Sequence, residues 1–248
     1  MHYRLCPKCG HAPLPENQSL PAACPGCGLV LAKYAARTPA GRRQQRPSRP
    51  KAWAAGLARR LLETPERVSP LEFRARAAAF VFFAAWGWQL AWLDIGNGAI
   101  GASFVHNILL PFHEAGHVLF RPFGEFVTYL GGTLGQLLMP VVLGVALIRE
   151  RRDNFGAALA LWLLGASLLD VAPYVYDALD PQLMLLSGLT GKDGDHDWIY
   201  LLGSTGLLRQ AQTLGRATRW AGIVTLLCAG AWAACLLRRQ YRRLDAAG

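Results

Sequence analysis

Apolar residues gather in five long runs, at about 77–93, 100–120, 126–148, 155–176 and 219–237, with charges confined to the stretches between them. Residues 1–76 are polar and basic. A soluble helical protein can carry one very apolar helix. A series of such runs, with eight Trp in the chain, predicts segments built for a bilayer. Residues 178–218 are mixed and Gly-rich, and predict a long loop with short helices that folds back onto the bundle. Within 51–63, Trp53, Leu57 and Leu61 recur at helical spacing opposite arginines, the pattern of an interfacial helix or of a short surface helix.

The polar interruptions divide the chain into three parts. Residues 1–32 hold two Cys pairs. Residues 33–76 form a basic linker, Pro-, Arg- and Gln-rich over 35–50, with the helical stretch after it. Residues 77–248 form a membrane-embedded domain. No continuous apolar core of the signal-peptide kind occurs in 1–32, so this head is expected in the cytoplasm, where thiols stay reduced.

The net charge of +10 would suit nucleic acid, but its placement argues against that partner. Arg37, Arg42, Arg43, Arg46 and Arg49 precede the first run, and Arg238, Arg239, Arg242 and Arg243 follow the last. Basic residues at the ends of spans set orientation and attract anionic lipid. Placing the linker, the Arg149–Arg152 turn and the C-terminal arginines on one side makes both termini cytoplasmic, as in a bacterial-type inner membrane. Five apolar runs then cannot all cross. The expected architecture is an all-α polytopic bundle with four crossings and a re-entrant element drawn from 100–133.

That same region carries His113-Glu114-Ala115-Gly116-His117. On a helix, histidines four apart project from one face and can share one Zn²⁺. Glu114 stands beside them, able to take a proton from water activated on the metal. Pro111 suits the first turn of such a helix. Ionisable groups inside an apolar run are costly and mark function. A hydrolytic zinc site needs a third protein ligand, and three candidates follow: Asp170, Asp177 and His196, the last in Asp195-His196-Asp197-Trp198.

These motifs resemble the site-2 protease family of intramembrane zinc metalloproteases, over roughly residues 100–178. That family joins His-Glu-x-x-His in one membrane helix to Asn-x-x-Pro…Asp-Gly in a later one. Here Asp170-x-x-Pro173…Asp177-Ala178 matches the second element with Asp for Asn, Ala for Gly and a gap one residue shorter. The resemblance implies an endopeptidase acting on membrane protein substrates within the lipid bilayer, with Glu114 as base and Asp177 as first choice for third ligand. Asp170 and His196 stay open as alternatives, and Asp170 could instead orient a ligating imidazole. Gly131-Gly132-Thr-Leu-Gly135-Gln136 resembles the family's re-entrant substrate-presenting loop, which would make Gly131, Gly132 and Gln136 substrate-binding.

A second metal is expected at the head. Cys6-Pro-Lys-Cys9-Gly and Cys24-Pro-Gly-Cys27-Gly have zinc-ribbon spacing. Four thiolates leave no water position, so this zinc is structural and supplies folding energy that about thirty residues cannot bury for themselves. The ribbon is a candidate to bind a protein partner. Cys228 and Cys235 sit in the last apolar run as packing residues. Two other functions remain open on sequence alone: a non-proteolytic membrane adaptor with structural zinc sites, and a metal transporter or sensor.

Overall fold

The computed structural model describes residues 3–35, 56–65 and 68–245. The chain divides into two compact units, Met1–Leu57 and Ala58–Gly248. Among the described residues every named element is helical, and pairing between extended segments is limited to isolated bridges at Ala23–Val30 and Met184–Thr190. Residues 36–55 and 66–67 of the basic linker, Trp53 among them, lie outside the described residues.

In the first unit two tight turns face each other, followed by helix α1 (Leu31–Ala35). Each turn repeats one hydrogen-bond pattern. Cys6 N–H donates to His11 O and Gly10 N–H to Cys6 O; Cys24 N–H donates to Leu29 O and Gly28 N–H to Cys24 O. Gly10 and Gly28 take φ +72° and +71°, the left-handed turn that a residue with Cβ resists. Tyr3 and Gln18 exchange two hydrogen bonds across the unit.

The second unit is a helical bundle. Its helices are α2 (Pro70–Trp92), α3 (Phe104–Phe120), α4 (Glu125–Ala146, prolonged by a π-turn over Leu147–Arg151), α5 (Asn154–Asp177), α6 (Asp197–Ser204) and α7 (Ala211–Asp245). Three stretches, Glu125–Arg151, Asn154–Asp177 and Leu208–Asp245, are long and apolar enough to cross a membrane, consistent with an integral membrane protein. Large apolar side chains such as Val118, Leu119, Val142 and Leu227 are more than 60% exposed on its surface, as a lipid-facing bundle requires.

Capping chemistry explains where the helices begin. Ser69, Ser103 and Asp153 each accept a backbone N–H of the first turn, and Pro70 occupies the position where a missing N–H is harmless. The Ser103 cap starts α3 well before Pro111. That proline therefore lies inside the helix, not in its first turn as the motif alone suggests. Residues 56–61 are helical, and the carbonyls from residue 60 onward are held by the bundle. Asn154 donates to Arg60 O and Glu63 O, Trp232 to Leu61 O, Arg239 to Leu62 O, and Arg243 to Thr64 O and Pro65 O.

Helix α5 is the central element. In its apolar window 67% is buried, against 28% and 33% for the other two long apolar stretches. It packs on α7 through glycines: a Cβ on Gly165 would lie 3.0 Å from Gly222 O, and one on Gly222 2.9 Å from Gly165 O. Small residues that admit backbone contact are how helices associate where lipid removes the hydrophobic drive. Contacts at 165/222 and 176/215 make α7 antiparallel to α5, and those at 136/167 and 144/160 do the same for α4.

Candidate metal centre and its cavity

Helices α3 and α4 form the antiparallel hairpin that builds the site. Their backbones meet at glycines. A Cβ on Gly116 would overlap Gly131 O, and one on Gly135 would overlap Phe112 O. The Gly131–Gln136 stretch, expected as a re-entrant loop, is instead buried helix in the middle of α4. Its glycines serve close helix approach rather than a turn, and the Gln136 side chain is already engaged inward.

This approach sets the two imidazoles of the His-Glu-x-x-His motif against α4. His117 Nδ1 lies 2.8 Å from Thr128 O, an acceptor only, so Nδ1 carries the proton. His113 Nδ1 lies 3.2 Å from Gln136 Oε1. The amide is oriented from its other end, where Gln136 Nε2 donates to Asp170 Oδ2 at 2.7 Å. Asp170 Oδ1 in turn accepts from His106 Nδ1 at 2.9 Å. With both Nδ1 atoms protonated and held, both Nε2 lone pairs are free to face one point.

At that point stands Asp197. Its Oδ2 is 3.1 Å from His113 Nε2 and 3.2 Å from His117 Nε2. Burial raises the Asp197 carboxyl, but with both imidazoles protonated the hydrogen bonds from His113 and His117 outweigh it and hold the group at about 2. Ligands about 2.0–2.2 Å from a tetrahedral zinc lie roughly 3.3–3.6 Å apart, close to what is seen. Without an ion, both rings would need a second proton to donate to one oxygen, placing two imidazolium cations with centroids 4.8 Å apart. A dication replaces both protons at once. His113, His117 and Asp197 thus form a set that fits a divalent metal.

Gly132 faces this point directly. A Cβ there would come within 2.5 Å of both Nε2 atoms, into the space a metal would take. The set opens on a cavity of about 1190 Å³, also lined by Glu114, His106, Thr133 and Lys192. Glu114 is exposed within it. A metal held by these three side chains would keep a position open to the cavity.

The residues first considered as third ligand lie elsewhere. Asp177 ends α5 and accepts from Gln182 N–H at 2.8 Å and Leu183 N–H at 3.2–3.3 Å, tying down the following loop. Asp170 stands behind Gln136. His196 caps α6: its Nδ1 accepts from Ile199 N–H at 3.3 Å, so its proton sits on Nε2 and no lone pair is left for a metal. Burial keeps this imidazole below its ordinary pKa. Asp197 is absent from the ligands expected from the sequence, whereas its neighbour His196 is among them. The available signal was the cap itself, since a residue just before a helix spends its side chain on the first turn.

The cysteines of the first unit form a second, separate set. Cys6 Sγ and Cys27 Sγ are 3.7 Å apart, and Cys9 Sγ and Cys24 Sγ 3.8 Å. Sulfurs 2.3 Å from a tetrahedral zinc are separated by ~3.8 Å. Burial would raise the Cys6 thiol, but backbone N–H groups of Cys9 and Lys8 bring it down to about 6; at Cys9 the backbone of His11 lowers the thiol, but Cys27 and burial raise it to about 12. The four thiols fit one metal and leave no open position.

No family model matches the chain, and no curated protein or solved structure matches it either.

Proposed function

We propose that the chain is a membrane-embedded zinc endopeptidase of the site-2 protease kind, cleaving peptide bonds of membrane protein substrates in or near the bilayer. The observation that carries this reading is the convergence of two Nδ1-anchored imidazoles and Asp197 on one point, in a cavity that also holds Glu114.

His113, His117 and Asp197 would hold the zinc. When bound, it supplies a Lewis acid that polarises the scissile carbonyl and makes water more acidic. Glu114 takes the proton from the attacking water and returns it to the leaving amine. Gln136, fixed by Asp170, keeps His113 in the ligating tautomer, and Thr128 O does so for His117. Gly132 keeps the metal position clear.

We read α2 as a fourth crossing beside the three long apolar helices. Its C-terminal half is rich in Trp, which suits a membrane interface. Phe104, at the start of α3, stacks on Trp86, six residues before the end of α2. The chain therefore doubles back over 93–103, and this stretch is our candidate for the re-entrant element. We read the basic ends as keeping both termini on the cytoplasmic face. The cysteine unit is read as a structural zinc ribbon that recruits a protein partner.

The test is Glu114→Gln in the full chain, purified in micelles and challenged with a library of single-span reporter segments. Zinc content should equal that of the parent protein while cleavage falls about 10²–10⁴-fold. Undiminished cleavage would remove Glu114 from the chemistry and the reading with it.

A further inference from the structure

Thr133 follows Gly132 in α4, and with Gln136 it is the contribution of that helix to the cavity lining. The residue is only 5% exposed, yet its Oγ1 has no hydrogen-bond partner. Buried polar groups are nearly always satisfied, so an orphan asks for an explanation.

A helical threonine has a ready local acceptor in the carbonyl four residues back. Thr128, Thr205, Thr218 and Thr225 all use it, at 2.7–2.9 Å. Thr133 does not. Its Cα is ~3.8 Å from that of Gly132, whose missing side chain marks the metal position. The other orphan atom on this cavity, His196 Nε2, has the Asp177 carboxylate 3.8 Å away. Thr133 Oγ1 has no partner, and the residue is one of those that line the cavity.

We propose that Thr133 is a further catalytic residue, its hydroxyl donating to the scissile carbonyl oxygen as that oxygen gains negative charge. The inference rests on the endopeptidase reading. Glu114 takes a proton from water, the water oxygen bonds to the carbonyl carbon, and the carbonyl π pair moves onto oxygen. Thr133 Oγ1–H donates to that oxygen. The carbonyl then re-forms as the C–N bond breaks, and the nitrogen takes the proton held by Glu114. A fixed donor aimed at developing charge is among the strongest contributions a site can make.

The test uses the zinc-loaded full chain in micelles with acetohydroxamate as probe, a small carbonyl-bearing metal ligand, titrated calorimetrically. Thr133→Val should bind it roughly tenfold more weakly at unchanged zinc content, and Thr133→Ser should return to within about threefold of the parent. Thr133→Ala serves the same comparison if the valine protein does not fold. Parent-like binding by the valine or alanine protein, or failure of serine to restore it, overturns the role. So does loss of the cavity zinc in these variants, because the hydroxyl is assigned to substrate oxygen and not to the metal. If His113→Ala leaves the parent's zinc count unchanged, the endopeptidase reading itself falls, an outcome distinct from the others.

Discussion

The two candidate metal sets use the same elementary chemistry to opposite ends. In the first unit, four thiols come from two local turns, each closing within five residues, and their sulfur separations already match a filled tetrahedron. In the second unit, two imidazoles from α3 meet one carboxylate from α6, 84 residues beyond His113, and the set faces a large cavity. A closed set can only hold structure together. An open one, with a free carboxylate such as Glu114 beside it, can act on something else. The count of ligands and what lies opposite them separate the two roles more clearly than residue type does.

Two substitutions should break the pair apart, each in one direction. Cys24→Ala removes a buried thiol from a unit too small to fold on its own core. Folding of the first unit should be lost, seen as proteolysis within residues 3–35, while the cavity keeps its metal. Gly132→Ala places a methyl 2.5 Å from both Nε2 atoms on a rigid helix. It should abolish metal uptake at the cavity and leave the cysteine metal in place, measured by zinc content per chain. Equal loss from both sets in either variant would show that they are not independent. A smaller effect is expected behind the ligands. Gln136→Leu leaves the imidazole of His113 without its acceptor and should weaken zinc binding at the cavity by 10–100-fold in a chelator competition, with no change at the cysteines.

The same contrast explains how much could be read from the sequence. Both Cys-x-x-Cys pairs and His-Glu-x-x-His are short-range patterns, so their spacing declares the shared face or turn. The apolar runs likewise announced the helices, including the central α5. Asp197 was illegible because its place depends on how the 178–196 loop returns, and the more conspicuous His196 next to it is occupied as a helix cap. Gly131 and Gly132 read as loop for a related reason. Glycine pairs usually mark turns, but here they permit backbone contact between α3 and α4, which only the partner helix reveals. Asp177 was the first choice for third ligand through the resemblance of Asp170-x-x-Pro173…Asp177 to the family's second element, yet it accepts backbone N–H groups of the turn that follows α5.

The assignment of Asp197 carries the account, and metal stoichiometry on the full chain tests it most directly. Two zinc ions per chain are expected in the parent protein, one in Asp197→Ala and two in Asp177→Ala. Two ions retained in Asp197→Ala, with one lost in Asp177→Ala, would contradict it.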